Sequence, residues 1–258
     1  MKRIFEWFGG FALIAFSFYF TDQVSILVSN KSDLMKEIKS VSKNYHVDAI
    51  EAVIDVKENT IIPGKNGRNV NDRDSYLSMQ EFGVFNENYL VFDVIKPKKT
   101  LKDNKDKFIT RGNTANRKVS IILTPNETIE KYLNIEKIPY DLIIDKKTEY
   151  KDEVEYINGA SDTDTFKLLN TSIKNNQTIC VYDYSDINMC KKYKYFIIKP
   201  TIKLNGTNIA ESKNQITNGV IILISNSVKL EHLKLLINEI RYKDLQIVQI
   251  SELINEDS

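Results

Sequence analysis

The chain has 258 residues, of which 42% are apolar and 28% charged, with a formal net charge of +1. That length and balance suit one large domain, or a domain with an appendage, and exclude wholesale disorder. Near-neutrality also excludes a generally basic nucleic-acid binder, which needs many clustered Lys and Arg to neutralise phosphates, so no nucleic-acid partner is expected.

Lys2 and Arg3 precede the stretch IFEWFGGFALIAFSFYF at 4–20, which carries no charge from Phe8 to Phe20. Crossing a bilayer takes about 20 apolar residues, and the run from Ile4 to Thr21 approaches that length. No small-residue cleavage motif follows, so residues 1–30 read as an uncleaved signal anchor. Lys2 and Arg3 would hold the N-terminus inside, making a single-pass cell-membrane protein whose remaining residues are extracytoplasmic. A buried soluble helix is the alternative.

Beyond the anchor, KSDLMKEIKSVSKNY (31–45) spaces Leu34, Ile38 and Val41 for a helix. VDAIEAVIDV (47–56) is dense enough in β-branched residues for a buried strand. IIPGKNGRNVN (61–71) predicts a turn-rich loop, and DRDSYLSMQEFG (72–83) a helix capped by Asn71 and ended by Gly83. NYLVFDVI (88–95) predicts a strand stopped before Pro97, followed by a polar connector to Lys118.

From Val119 the pattern turns regular. VSIILT (119–124) predicts a strand, NETIEKYLNIEK (126–137) a helix, YDLIID (140–145) a strand and DTFKLLNTSIKNN (164–176) a helix. TICVYDY (178–184) and KYFIIKP (194–200) are strands, and the ending at 218–254 adds strand, helix, strand and the start of a helix. Such alternation argues for a mostly parallel sheet or barrel covered by helices. The expected organisation is an anchor (1–30), an α/β subdomain with connector (31–118) and a main domain (119–258).

Candidate sites outside any family pattern are few. SDTDTF (161–166) offers Asp162 and Asp164, and Asp183 and Asp186 lie on a second loop. Carboxylates at alternate positions can hold a hard cation, but helix caps and turns account for the same residues, with Asp164 the expected cap before TFKLL. PGKNGR (63–68) sets Lys65 and Arg68 about two glycines, a pattern that can cradle an anion and that a plain β-turn also explains. KPKKTLKDNKDKF (96–108) could touch an anionic polymer or lipid, or serve as a solvated connector. Cys180, in the apolar TICVY, reads as a small packed hydrophobe, with a bridge to Cys190 the lesser alternative. His46 precedes the main domain, and His232 falls on the wet flank of a helix striped by Leu233, Leu236 and Ile240, which makes it a surface residue.

GVIILIS (219–225), the helix after it and the closing YKDLQIVQISELI (242–254) resemble the end of a NodB-homology polysaccharide deacetylase domain. VSIILT falls where that family's V-x-L-T-F-D-D-G strand would lie, and IPYDLIID at its second strand. The resemblance covers Val119 to Leu253 and implies a distorted (β/α) barrel. It implies metal-assisted removal of acetyl groups from N-acetyl sugars, with an Asp and two His on a divalent metal, a second Asp as base and a late His as acid.

Carried onto this chain, the Asp pair falls on Thr124 and Pro125, and the late His on Ser225. No histidine lies in 157–166, where the H-x-x-x-H pair would stand, and the R-x-P-x-G element is missing near 181–186. The resemblance therefore implies an inactive relative that needs no cofactor and that binds cell-wall polysaccharide or scaffolds an envelope protein. Two alternatives follow. One is a Zn-dependent hydrolase with a carboxylate site drawn from Asp162, Asp164 or Asp183; the other is a purely structural partner of another membrane protein.

Overall fold

The computed structural model describes residues 30–151, 153–173 and 179–257, together with Ile14, Phe16, Ser17 and Tyr19. The expected anchor at 1–30 falls almost wholly outside the described residues. Among those described, no helix is long and apolar enough to cross a membrane.

The elements begin with helix α1 (Asp33–Ser42), strands β1 (Val53–Asp55), β2 (Thr60–Ile62) and β3 (Gly67–Val70), helix α2 (Asp72–Met79) and strands β4 (Phe92–Ile95) and β5 (Phe108–Ile109). Next come β6 (Lys118–Leu123), α3 (Glu127–Ile135), β7 (Asp141–Ile144), β8 (Glu155–Asn158), α4 (Thr163–Ser172), β9 (Ile179–Val181) and α5 (Ile187–Lys192). The chain closes through β10 (Phe196–Ile198), β11 (Ile202–Leu204), α6 (Ile209–Gln215), β12 (Ile221–Ile224), α7 (Leu230–Tyr242), β13 (Gln246–Val248) and α8 (Ile250–Leu253). They form two compact units: a smaller one of the residues up to Asp48 with Gly67–Ile95, and a larger one of Ala49–Asn66 with the residues from Lys96 onward.

In the smaller unit the apolar stripe of α1 buries Leu34 and Ile38 against Met79 of α2, with Val70, Phe85 and Leu90 around them. Asn71 caps α2 as expected, its side-chain oxygen accepting from Asp74 N at 3.0 Å. The helix stops at Met79, short of Gly83, which takes a left-handed turn at φ +69°. The stretch 61–71, expected as a loop, instead supplies part of β2 and all of β3. Strand β3 pairs antiparallel with β4 from Gly67↔Ile95 to Val70↔Phe92. Its polar residues give no strand signal of their own; the ladder to a distant segment makes the strand.

The larger unit holds two sheets. One runs β1-β2-β5-β10-β9, parallel except for the β1–β2 hairpin. The other runs β11-β12-β6-β7-β8, entirely parallel, with β13 also pairing β6. Parallel strands covered on both faces read as unbroken apolar runs, and β7, β8 and β12 are buried throughout. Alternate residues of β6 face different cores. Val119, Ile121 and Leu123 join the cluster under the helices, whereas Ile122 joins Ile109, Ile143, Ile179, Ile198 and Leu223 between the sheets.

The expected barrel is not closed by hydrogen bonds. The strand foreseen at 194–200 splits into β10 in one sheet and β11 in the other, around Pro200, which has no N–H to give a ladder. At that break Lys199 N donates to Ile109 O (2.8 Å) and Thr201 N to Ile221 O (3.1 Å), so the two sheets share one bent strand. Between β8 and β9 loop contacts replace a ladder: Ser185 Oγ donates to Asn158 O at 2.6 Å.

The structure also corrects the cysteine expectation. Cys180 and Cys190 form a disulfide with Cα atoms 6.3 Å apart, and both are fully buried. The tight turn after β9, with Asp183 at φ 76°, lays α5 back along the strand and brings the second cysteine to the first.

Gly219 is held at φ +78°, and a Cβ there would lie 2.4 Å from Gly112 O. Gly112 N in turn donates to Gly219 O at 2.8 Å. Gly219→Ala therefore meets both a left-handed backbone, costing about 1–2 kcal/mol in an L residue, and a backbone clash. Denaturant unfolding is expected to show a loss of roughly 2 kcal/mol or more. Gly206→Ala, whose Cβ would meet nothing closer than 3.4 Å, should lose much less.

Candidate functional site

Parallel α/β sheets bind ligands beyond the carboxyl ends of their strands, where loops and helix starts converge. In the second sheet that edge is formed by Thr124 after β6 and Ser225 after β12, adjacent because Leu123 pairs with Ile224. Thr124 donates twice to Ile224 O, through N at 3.0 Å and Oγ1 at 3.3 Å. Ser225 N donates to Leu204 O (3.1 Å), and its hydroxyl pairs with Ser227 Oγ at 2.7 Å. Pro125 leads into Asn126, whose side-chain oxygen caps α3 by accepting from Ile129 N (3.2 Å). The amide nitrogen of Asn126 donates to Asn226 O at 3.1 Å. The edge thus presents hydroxyls and amides, with neither carboxylate nor imidazole at Thr124, Pro125 or Ser225.

The candidate aspartates are not brought together. Asp162, not Asp164, caps α4: its carboxylate accepts from Thr165 N at 2.9 Å, and that bond lowers its pKa. Asp164 lies within the first turn, 3.9 Å from Lys167 Nζ. Asp183 pairs with Lys203, and Asp186 caps α5. Asn158 holds the region expected for the H-x-x-x-H pair, donating to Phe166 O (2.9 Å) and accepting from Ala160 N (3.1 Å). Among the described residues no group of three or more His, Cys, Asp or Glu could hold a metal ion. The donors present do not fit the zinc alternative.

The remaining candidates serve locally. Lys65 donates to Asn116 Oδ1 at 2.8 Å in the larger unit, while Arg68, in the smaller, lies over the Phe92 ring at 4.7 Å. His46 bonds Asn69 and Asp48. His232, expected on the surface, is half-buried with Nδ1 enclosed and unpartnered, because α7 turns that flank inward beside Leu233.

A charged cluster that the sequence reading missed lies at the starting end of the second sheet. Asp141 opens β7 fully buried, opposite Glu155 in register on β8. Both Asp141 oxygens accept from Ile250 N at 3.1 Å, and one also accepts from Ser120 Oγ at 2.8 Å. Glu155 Oε2 accepts from Ser251 N at 3.2 Å. Burial first, and then the neighbouring Glu155 charge, push the Asp141 carboxyl well above its usual range. The cluster ties the first turn of α8 to three strands and is shut off from substrate. A carboxylate opening the otherwise apolar DLII is the signal that could have revealed it.

No family model matches the sequence. An uncharacterized protein of Bacillus subtilis, YlxY, is 34% identical over 117 residues, or 44% of this chain. The match takes in 36% of that protein, so the chain spans about a third of the relative's length. Among solved structures, a crystal structure of BA3943, a CE4 family pseudoenzyme from Bacillus anthracis, matches 88% of this chain and 96% of its own at 19% identity and TM-score 0.61. A mutant of that pseudoenzyme with restored enzymatic activity matches 87% of this chain and 98% of its own, at 18% identity and TM-score 0.57. The chain thus has an α/β fold like that of the CE4, NodB-like polysaccharide deacetylases, and the likeness is to a degenerate member. At these identities the likeness is one of fold.

Asp141 has a folded pKa above its unfolded one. Its favourable contribution is therefore present below the unfolded value and is lost as pH rises through the folded value. Stability should fall from mildly acidic toward alkaline pH in thermal melts. Asp141→Asn, which keeps an oxygen for Ile250 N without the charge, should flatten that fall and gain on the order of 1 kcal/mol at the alkaline end.

Proposed function

We propose that the chain is a catalytically inactive polysaccharide-deacetylase-like protein of the bacterial envelope, anchored by residues 1–30, whose extracytoplasmic larger unit binds cell-wall glycan. The observation that carries the reading is the edge of the second sheet, where Thr124, Pro125 and Ser225 stand side by side with no carboxylate to anchor a metal and no imidazole to move a proton near neutral pH. Sugar hydroxyls and acetamides are neutral hydrogen-bonding groups. The hydroxyls and amides of Ser225, Ser227, Asn126 and Asn226 are of the kind that recognises them. Loss of a metal does not remove such contacts, because they are spread over several loops. An envelope protein held by the same face is the form this reading takes if glycan does not bind.

The test uses the full chain in a mild detergent. With Zn²⁺ or Co²⁺ supplied, acetate release from N-acetylated peptidoglycan and chitin oligomers should stay at background. The triple variant Thr124→Asp, Pro125→Asp, Ser225→His should remain at background too, because no imidazole pair accompanies it. Chitin oligomers should nevertheless bind in calorimetry, with Ser225→Trp weakening the affinity at least fivefold without lowering the melting temperature. Metal-dependent acetate release by the unaltered chain would overturn the reading.

A further inference from the structure

An apolar cluster is exposed at one end of the smaller unit. Helix α2 finishes at Met79, and Phe82 N and Gly83 N both donate back to Met79 O, at 3.0 and 3.1 Å. The left-handed turn at Gly83 then leaves Phe82 and Val84 60% and 64% exposed. Tyr89 joins them, its ring centroid 5.4 Å from that of Phe82. Tyr89 O accepts from Ser78 Oγ at 2.6 Å, which fixes the tyrosine beside the last turn of α2.

The chain enters the unit at that same end. Val47 pairs antiparallel with Arg68, and the turn at Lys43–Tyr45 runs beside β3, so α1 ends where α2 begins. The two helices pack from there in opposite directions, and Leu34 and Ile38 meet Met79, which sets the start of α1 against the end of α2. Asn30 is tied to α1, its side-chain oxygen accepting from Lys39 Nζ at 2.7 Å. Residues 20–29 lie outside those described; in the sequence, apolar residues recur as far as Val28. Two residues reach at most about 7 Å, and packed helices lie about 8–10 Å apart. A bilayer that held the stretch up to Val28 would therefore face Phe82, Val84 and Tyr89.

Aromatic side chains collect at the headgroup level of bilayers, where the ring leaves water and a tyrosine hydroxyl stays wet. A pair of exposed rings on a turn that faces the bilayer fits that layer. The charges at this end nearly cancel: Asp33 and Lys36 pair at 2.7 Å, and Lys31 and Glu81 are both exposed. The surface that fits is accordingly zwitterionic. A second copy of the chain fits less well, because three side chains around one turn offer far less than the roughly 800 Å² that each partner of a stable interface buries.

We propose that Phe82, Val84 and Tyr89 form a foot that seats the smaller unit on the headgroup layer of a zwitterionic bilayer, beside the segment that enters it. The inference rests on the anchoring by residues 1–30 proposed above. It adds a second, reversible contact that sets how the smaller unit stands on the membrane.

The full chain would be reconstituted in phosphatidylcholine vesicles with and without a nitroxide-bearing phosphatidylcholine that quenches fluorescence at headgroup depth. Trp7, the single tryptophan, reports on the anchor. A nitrobenzoxadiazole group on Val84→Cys reports on the foot. The same group on Val94→Cys, exposed on β4 opposite Arg68 and so before α2 begins, is the control. Cys180 and Cys190 are bonded to each other and take no label. The label at 84 should lose about half its emission or more to the nitroxide lipid and the label at 94 about a tenth or less, with Trp7 quenched in both chains. Adding Phe82→Ser and Tyr89→Ser to the Val84→Cys chain should cut that quenching at least twofold without lowering the melting temperature. Quenching of Trp7 without quenching at 84 would overturn the proposal and leave the anchor standing, whereas an unquenched Trp7 would overturn both. Self-quenching at 84 that fades on dilution with unlabelled chain would assign the cluster to a second copy and overturn the proposal as well.

Discussion

Strand β6 is the element on which the larger unit depends. Ser120 pairs with Ile221 on one edge and Val248 on the other, and Ile122 pairs with Asp141 on the side that β13 also occupies. Three strands therefore take their register from six residues. A slip of one residue along β6 would exchange Val119, Ile121 and Leu123 for Ser120 and Ile122, which belong to the opposite face. The Ser120–Asp141 bond, inside the core, is made only in the observed register. Its buried carboxylate is costly in isolation, yet it fixes α8 through Ile250 N and so closes the C-terminal segment over the sheet.

That tie also explains the glycine pair. The last helix is drawn down on residues 110–112, where a Cβ on Gly112 would meet Leu253 Cγ at 2.5 Å, and the same segment passes within hydrogen-bond reach of Gly219. Close backbone approach there, and the bent strand at Pro200, let two sheets share one interior without a continuous ladder. The apolar residues of both sheets then meet in the core that contains Ile122, Ile179 and Leu223.

Much of the larger unit was legible because parallel strands buried on both faces leave apolar runs that need no partner to be recognised; VSIIL and IILI are examples. The cap at Asn71 was legible from its own side chain. What escaped is what depends on distant partners. EYIN at β8 carries two polar ends, and Glu155 and Asn158 are tolerated inside only because Ser251 N and the groups around Phe166 satisfy them. The Gly67–Val70 strand exists through its ladder to β4, and the Cys180–Cys190 bond through the turn that folds α5 back. At the site, spacing alone could not choose between Asp162 and Asp164 as cap, since both precede the same apolar stripe. The Thr124 and Ser225 positions came from a family resemblance; their adjacency follows from the register of β6 against β12.

The edge between β6 and β12 is satisfied by local bonds. A metal site must keep carboxylates and imidazoles oriented and short of partners until the ion arrives, and second-shell bonds hold them there. Thr124 and Ser225 make no such demand. The threonine hydroxyl is satisfied by Ile224 O, the backbone acceptor of the neighbouring strand, and the serine hydroxyl by Ser227. Both hydroxyls complete local bonds, so the strand ends are better satisfied as they stand than they would be with an empty ligand set. A carboxylate or imidazole placed alone at Thr124 or Ser225 would bring that unmet demand to the edge without the partners that make a metal site useful.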